Sequence, residues 1–322
     1  MNFIRLDSGK VDGFGLIKSI EKKLNVKNVP YLDIELCDKS GDINAKLWDY
    51  REELHGTYKV NDLVKFRGLL SQFNGSDQLR VDQMRHVVEA DGVDISDFVP
   101  SSEYPGEMMY GEILNVIDTF RDSDLRKITR AILEERKEQL LFWPAAYKLH
   151  HAMRGGLLYH TLSIVRMAQT VCNIYPSIDR DLLLSGAILH DIAKLDEYDV
   201  GETGVAESYS IKGNLLGHLV MGAMEIEKKA KELGIPEKTA VLLEHMAVSH
   251  HGEPDFGAAV RPLFIEAEVL CQLDTLDATV YEMAHSIGEV EKDAFTQRQW
   301  ALDNRKLYNH GRCDIRPKAN LE

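Results

Sequence analysis

Ala187-Ile188-Leu189-His190-Asp191-Ile192-Ala193-Lys194 sets two polar side chains, an imidazole and a carboxylate, side by side at the end of an apolar helical run. Helix propensity gives no reason for that pair, whereas an imidazole nitrogen beside an anionic oxygen is an N/O donor set for a metal ion. Hydrogen bonding at a helix end is the competing reading of this word taken alone. Working outward, His160 lies 30 residues before His190, and His218 lies 27 after Asp191. The adjacent His250-His251 begins 32 residues beyond His218, and Asp274 follows His251 by 23. Gaps of that size bring side chains from several helices into one bundle cavity.

The sequence around these residues has helical period. Residues 155–175, 180–194, 215–233 and 236–250 read as successive helices, and another runs from 263 to about 287. Within Gly155-Gly156-Leu157-Leu158-Tyr159-His160-Thr161-Leu162, His160 precedes Ile164 by four residues, so the two share a helix face. Further upstream, Leu114, Ile117, Ile128, Ala131, Ile132 and Leu133 are candidate core positions, with Asp124, Arg126, Lys127, Glu134 and Glu135 facing water.

The first hundred residues have a different period. A first candidate strand covers residues 14–20. In a second, Leu32, Ile34 and Leu36 share one face while Asp33 and Glu35 share the other. The polar residues 38–42 make a reversal, after which Ile43, Ala45 and Leu47 alternate with Asn44, Lys46 and Trp48. Residues 63–70 form another strand, and Asn74-Gly75 supplies the positive-φ turn before residues 78–81. Glu52-Glu53-Leu54-His55 reads as a short helix plugging one end. Five strands in so short a span predict a compact barrel or curled antiparallel sheet. An oligonucleotide/oligosaccharide-binding (OB) barrel fits, and period alone does not separate it from other small all-β folds.

The resulting domain organisation is a barrel at 1–95, a linker at 96–109 containing Pro100 and Pro105, a helical domain at 110–300 and a C-terminal extension at 301–322. The fold class is α+β multidomain. Of the barrel's side chains, Phe14, Tyr31, Trp48, Phe66 and Phe73 are candidate stacking platforms for unpaired bases. Lys22, Lys23, Lys65, Arg67 and Arg80 are candidate phosphate contacts, with Lys18 and Lys46 beside them. Core packing for the aromatics and solvation for the cations are the competing readings.

The whole chain of 322 residues holds 38 Lys and Arg against 52 Asp and Glu, a formal charge of −14. Residues 1–100 contain 14 basic against 17 acidic residues, a local −3, which leaves −11 for the rest. That balance argues against a continuous electrostatic coat for nucleic acid. A composition 44% hydrophobic and 28% charged argues against global disorder. Four scattered cysteines, Cys37, Cys172, Cys271 and Cys313, make neither a disulfide framework nor a zinc word. Charges interrupt every apolar stretch well short of the roughly 20 residues of a membrane span, and no secretory leader is evident. The expected setting is cytoplasmic.

The ordered constellation of His160, His190-Asp191 and Asp274 resembles the HD-domain metal-dependent phosphohydrolase superfamily over roughly residues 110–290. His218 with His250-His251 is similar to the additional histidines of members that hold two metals. The whole arrangement also looks like the YhaM-type 3′–5′ exoribonuclease family, in which an OB-like domain precedes the HD domain. The words that carry this are residues 38–49 in the barrel, Gly155-Gly156-Leu157-Leu158-Tyr159-His160-Thr161, and His250-His251-Gly252-Glu253-Pro254.

The resemblance implies one or two divalent ions. The expected first shell is His160, His190, Asp191 and Asp274, with Asp191 bridging to a second ion held by His218, His250 and His251. Mn²⁺ is the expected ion; Co²⁺ or Fe would bind the same ligands, and Mg²⁺ suits so many histidines less well. His190, Asp191 and Lys194 are the expected catalytic group. Lys194 lies three residues beyond Asp191 and would orient phosphate or stabilise its charge, a surface role being the alternative. Asp277, one turn after Asp274, orients a ligand or makes a helix salt bridge. His150, His151 and Arg154 border an incoming phosphate or form ordinary hydrogen bonds. Glu244, His245, Glu253, Glu266 and Glu268 are weaker polar candidates.

The expected reaction is hydrolysis of terminal phosphodiesters in single-stranded RNA from the 3′ end, releasing nucleoside 5′-monophosphates. Single-stranded DNA remains open, because no residue reads as a selector for the ribose 2′-hydroxyl. Homo-oligomerisation is open too, and no membrane partner is expected. Two other functions share the metal geometry: a nucleotide or cyclic-nucleotide phosphohydrolase with a regulatory barrel, and a non-enzymatic RNA-binding scaffold with a retained metal core. A di-iron oxygenase is a more distant alternative.

Overall fold

A computed structural model describes residues 9–73, 75–148 and 151–321. The chain divides into two compact units between Ser101 and Ser102. Asn74 and His150, expected in a hairpin turn and beside the phosphate path, lie outside the described residues.

The first unit comprises β1 (Gly9–Leu24), β2 (Pro30–Asp38), β3 (Gly41–Leu47), a one-turn helix α1 (Glu52–His55), β4 (Leu63–Phe73) and β5 (Ser76–His86). These strands close into a barrel in the order β1-β2-β3-β5-β4. Strand β1 serves two neighbours: residues 9–16 pair with β4 and residues 16–24 with β2, the register shifting between Ile17 and Ser19. The other contacts are antiparallel except β3 with β5, whose parallel pairing closes the ring. This is the OB-like barrel that the alternating pattern predicts. Leu32, Ile34 and Leu36 point inward with Ile43, Ala45 and Leu47, as the period of two requires. Phe66 is 1% exposed and belongs to that core, so it is no stacking platform; packing fills its ring.

Strand β4 crosses β5 so closely at Gly68 that a Cβ there would lie 2.2 Å from the Arg80 carbonyl oxygen. Only a residue without a side chain permits the approach, and the register shifts at the same place, between Arg67 and Gly68.

The second unit contains α2 (Gly106–Asp118), α3 (Ser123–Glu135), α4 (Lys137–Leu140), α5 (Gly156–Ile174), α6 (Arg180–Leu189), α7 (Lys194–Glu197), the hairpin β6 (Tyr198–Val200) and β7 (Ala206–Tyr209), α8 (Ile211–Leu233), α9 (Glu237–Ser249) and α10 (Ile265–Gly288). Residues 106–109, read from sequence as linker, form the first turn of α2. The helix expected over 180–194 ends at Leu189, and residues 190–193 turn before α7 starts. Helix α6 is buried from Asp181 through Leu189, with no solvent-facing stripe, which marks it as the central helix. The chain after α10 returns onto the unit: Leu302 and Leu307 pack with Ile287, and Leu321, 1% exposed, joins the main core.

Replacing Gly68 with Val should destabilise the barrel by about 1–3 kcal/mol, because the neighbour that must yield is backbone. Chemical denaturation followed by the barrel's Trp48 tests this, and an unchanged midpoint would contradict the close approach.

Candidate metal centre

Five helix segments deliver the polar cluster. His160 sits in the second turn of α5, His190 caps α6 with Asp191 next, His218 follows a break in α8, His250 caps α9 with His251 next, and Asp274 lies on α10. The break in α8 is Gly217, at φ 70° and ψ 160°, a conformation that β-carbon-bearing residues rarely adopt. It releases the His218 N–H from the helix ladder to donate to Glu197 Oε1 at 3.0 Å.

Each imidazole is anchored through Nδ1. His160 donates to Asp277 Oδ2 at 2.8 Å, and His218 to the Glu197 carboxylate at 3.0 Å. His190 and His250 donate to the carbonyls of Ala187 and Ala247, and His251 to that of Phe256, all at 2.9 Å. A ring that donates through Nδ1 presents, once neutral, an Nε2 lone pair to the shared interior.

Asp191, 2% exposed, stands at the centre. Its Oδ2 is 3.5 Å from His160 Nε2, 3.3 Å from His190 Nε2 and 2.7 Å from Lys194 Nζ. Its Oδ1 is 3.3 Å from His218 Nε2 and 3.6 Å from His250 Nε2. Asp274 Oδ1 is 3.2 Å from His160 Nε2. Asp191 Oδ1, His218 Nε2 and His250 Nε2 are buried with no hydrogen-bond partner among the described residues. Three acceptors turned toward one another without a donor form a costly arrangement that a cation between them would relieve. The spacing fits as well, since N/O bonds of roughly 2.0–2.2 Å to one ion set adjacent ligand atoms about 3 Å apart. Donor atoms converge within 4.8 Å in the groups His160/His190/Asp191, His190/His250/Asp274 and His218/His250/His251. These clusters suit one or two divalent ions.

The electrostatics agree. Burial disfavours charge on Asp191, but Lys194 and His190 outweigh it and hold the carboxyl well below its usual range. Burial likewise opposes the Asp274 carboxylate and His160 more than offsets it. Burial lowers His218, His250 and His251, keeping those rings neutral donors. His160 is the exception: burial pulls it down, yet Asp274 and Asp277 push it up to about 10.

The structure thus brings together all seven residues proposed from sequence as ligands. Lys194 is buried and paired with Asp191, so its ammonium serves that carboxylate first. Asp277 does more than join a helix salt bridge: besides His160 it accepts from His151 Nε2 at 2.8 Å and Ser163 Oγ at 2.5 Å. His151, 1% exposed, stands behind His160 and not on a phosphate path. Arg154 donates to the Glu202 carbonyl, Glu253 pairs with Arg261, Glu266 accepts from the Asp179 N–H, Glu268 accepts from Gln272, and His245 accepts from the Leu263 N–H. Glu197 is missing from the sequence reading; only the fold puts it beside His218.

In the barrel, Trp48 stacks on Tyr31 with centroids 4.5 Å apart, stays 38% exposed, and has Lys46 Nζ 5.9 Å from its ring centre. Lys23 is paired with Glu21 and Asp33, Lys65 with Asp91, Arg67 with Asp12 and Arg80 with Asp82. Lys22 lies over the Tyr50 ring. The acidic balance of this unit is therefore local as well, with most of the candidate cations facing carboxylates.

Residues 157–279 match the family model of the HD domain. The helical unit thus carries an HD domain, preceded in the chain by the OB-like barrel. Among solved structures, the chain is similar to a component of a replication protein A heterotrimer bound to single-stranded DNA, at 16% identity over 27% of this chain and 64% of that one (TM-score 0.23). It is similar also to the second OB-fold domain of replication protein A from Methanococcus maripaludis (16% identity, 25% and 83% coverage, TM-score 0.20). A third is the mitochondrial single-stranded DNA-binding protein Rim1 of S. cerevisiae (17% identity, 25% and 97% coverage, TM-score 0.22). The HD match and the clustered His and Asp side chains support metal-dependent phosphohydrolase activity. Among the described residues, no helix is long and apolar enough to cross a membrane.

Removing the carboxylate behind His160, by Asp277→Asn, should weaken metal affinity about 10–100-fold in a calorimetric titration, and an unchanged affinity would refute the anchoring role. Affinity should also depend on pH. His160 titrates near 10 in the ion-free protein and must lose its proton to bind, so affinity should rise, by up to about tenfold per pH unit, between pH 6.5 and 7.5. A flat profile would mean that no such proton is displaced.

Proposed function

We propose that this protein is a metal-dependent 3′–5′ exoribonuclease that removes nucleoside 5′-monophosphates from single-stranded RNA. The observation that carries the reading is the Asp191 carboxylate, turned with one oxygen toward His160 and His190 and with the other toward His218 and His250. A carboxylate shared in that way suits a centre with two ions. His160, His190, Asp191 and Asp274 would hold the first; Asp191, His218, His250 and His251 would hold the second. The mixed N/O donor set favours Mn²⁺, with Co²⁺ or Fe as substitutes. Such ions, when bound, polarise the phosphoryl group, lower the pKa of water and stabilise the attacked and leaving oxygens.

The chain's own residues define the rest. Lys194 holds Asp191 ionised and lines the cavity beside His218 and Asp274, where its charge also favours an incoming phosphate. Asp277 and Glu197 fix His160 and His218 so that neither ring turns when substrate arrives. The barrel supports a polymeric substrate over a small one. Its exposed Trp48, stacked on Tyr31, offers a face to an unpaired base, and Arg80 and Arg67 keep more than half of their side-chain surface exposed beside their carboxylate partners. Residue words shared with the YhaM-type family supply the choice of RNA and of 3′ polarity.

RNA labelled at the 5′ end should shorten in a ladder, and RNA labelled at the 3′ end should release the label at once as mononucleotide, in the presence of Mn²⁺. Activity confined to free nucleotides would overturn the reading in favour of a small-molecule phosphohydrolase. Binding without hydrolysis under Mn²⁺, Co²⁺ and Fe would favour a scaffold. The double substitution His190→Ala/Asp191→Ala should reduce turnover more than about a hundredfold, given the charge stabilisation asked of the centre. Turnover surviving in a folded double variant would remove both residues from the chemistry.

A further inference from the structure

A cavity of about 660 Å³ opens beside the metal centre, and its lining combines two chemistries. His218, His251 and Asp274 border it, together with Lys194. Aromatic rings border it as well: Tyr147, Tyr198, Tyr209, Phe256 and Trp300. Phe256 and Trp300 are 72% and 73% exposed and Tyr209 is 42% exposed, so these side chains are not consumed by core packing. The Phe256 carbonyl accepts from His251 Nδ1 at 2.9 Å, which ties that ring's segment to the centre. Tyr209 meets Tyr147 and Tyr198, with centroids 5.6 and 5.1 Å away.

Two of these five rings come from outside the stretch that matches the HD domain. Tyr147 precedes α5, and Trp300 lies in the chain that returns after α10, whereas the match covers residues 157–279. The aromatic lining is thus supplied in part by this chain's flanking segments, added to the metal-binding helices. The cavity's volume is that of a pocket for one small ligand and not for a length of strand. A group that offers phosphate to the metal ligands and a flat ring to the aromatic side chains is a nucleotide.

We propose that the aromatic lining of this cavity is a subsite for the base of the terminal nucleotide, gripping any of the four bases by its π-face and making removal largely independent of sequence. This rests on the exonuclease reading above and adds to it the basis of substrate tolerance. Base-edge discrimination needs fixed donors or acceptors such as Asn, Gln or Arg side chains. Among the described residues lining the cavity there is no Asn, Gln or Arg; Glu197 is held by His218, Lys194 by Asp191, and Lys148 Nζ lies over the Tyr147 ring. Besides these and the two histidines, the polar side chains there are Asp274 and the hydroxyls of Thr and Tyr, which donate or accept as required. Stacking, in contrast, tolerates every base.

Calorimetry on the Mn²⁺-loaded full chain tests the subsite without turnover, using the four nucleoside 5′-monophosphates and ribose 5-phosphate. The nucleotides should bind about tenfold or more tighter than ribose 5-phosphate and lie within about threefold of one another, as stacking affinity requires. Trp300→Ala, at an exposed position, should erase most of that advantage while leaving ribose 5-phosphate binding unchanged; Tyr147→Ala provides a second probe of the same wall. Equal binding of ribose 5-phosphate and nucleotides would overturn the base subsite. A preference for one base of about thirtyfold or more would overturn its tolerance. The labelled-RNA assay separates this from the parent reading. RNA that is trimmed by a protein showing no base advantage removes the subsite alone, and nucleotide preference in a protein that leaves RNA intact removes the exonuclease reading alone.

Discussion

Asp191 places a full negative charge where water scarcely reaches, and the rest of the helical unit is arranged around keeping it there. A lone buried carboxylate would take up a proton. Here the Lys194 ammonium at 2.7 Å prevents that, and Lys194 can be buried only because Asp191 answers it. The pair uses one carboxylate oxygen; the other is left facing His218 and His250 without a donor. The centre is therefore balanced on one side and in deficit by a positive charge on the other. That asymmetry turns a cluster of histidines into a cation site instead of a satisfied polar core.

The imidazoles depend on geometry that begins in the backbone. Two of the five rings take their Nδ1 anchor from a carbonyl three residues earlier, at the helix ends after Ala187 and Ala247, where carbonyls lack intrahelical partners. His160 lies near the start of its helix, away from the C-terminal carbonyls, so Asp277 performs that service from α10. His218 needs both a kink at Gly217 and a carboxylate from Glu197. The helices can vary at their surfaces, but these anchors set the direction of each lone pair.

Much of the barrel was legible because a period of two is a local signal: Leu32, Ile34 and Leu36 predict their own burial. The strand ends were less so, since β1 extends well beyond residues 14–20 by pairing with different partners along its length. Tertiary context decides such extension. Helix α6 shows the converse limit. An apolar run through residue 194 reads as one helix, but the chain turns at His190 so that two adjacent side chains can enter one cavity. The ligand residues were legible from their types and order. Glu197 was not, because an acidic residue in a charged word carries no sign of the histidine 21 positions later that it holds. Trp300 and Tyr147 were silent for the same reason: an aromatic side chain does not disclose in sequence whether it fills a core or lines a cavity.

For an acidic chain, the phosphate-bearing substrate proposed above raises an electrostatic difficulty that the site would resolve locally. The excess of Asp and Glu lies mostly in the helical part, at −11 of the total −14, and repels a polyanion at long range. At physiological salt such repulsion between exposed charges fades beyond roughly 8 Å, whereas a buried charge is screened far less. The surface carboxylates and the centre therefore act over different distances. Carboxylates such as Glu135, Asp196 and Glu225 are already paired with Lys229 or Arg136, which reduces their field. At the centre, neutral histidines dilute the acidic ligands: two divalent ions would bring four positive charges against the two carboxylates of Asp191 and Asp274, leaving net positive charge for a phosphate. Mixed histidine and carboxylate ligation would thus let an acidic protein hold a locally positive cavity, whereas a shell of four carboxylates would cancel both ions.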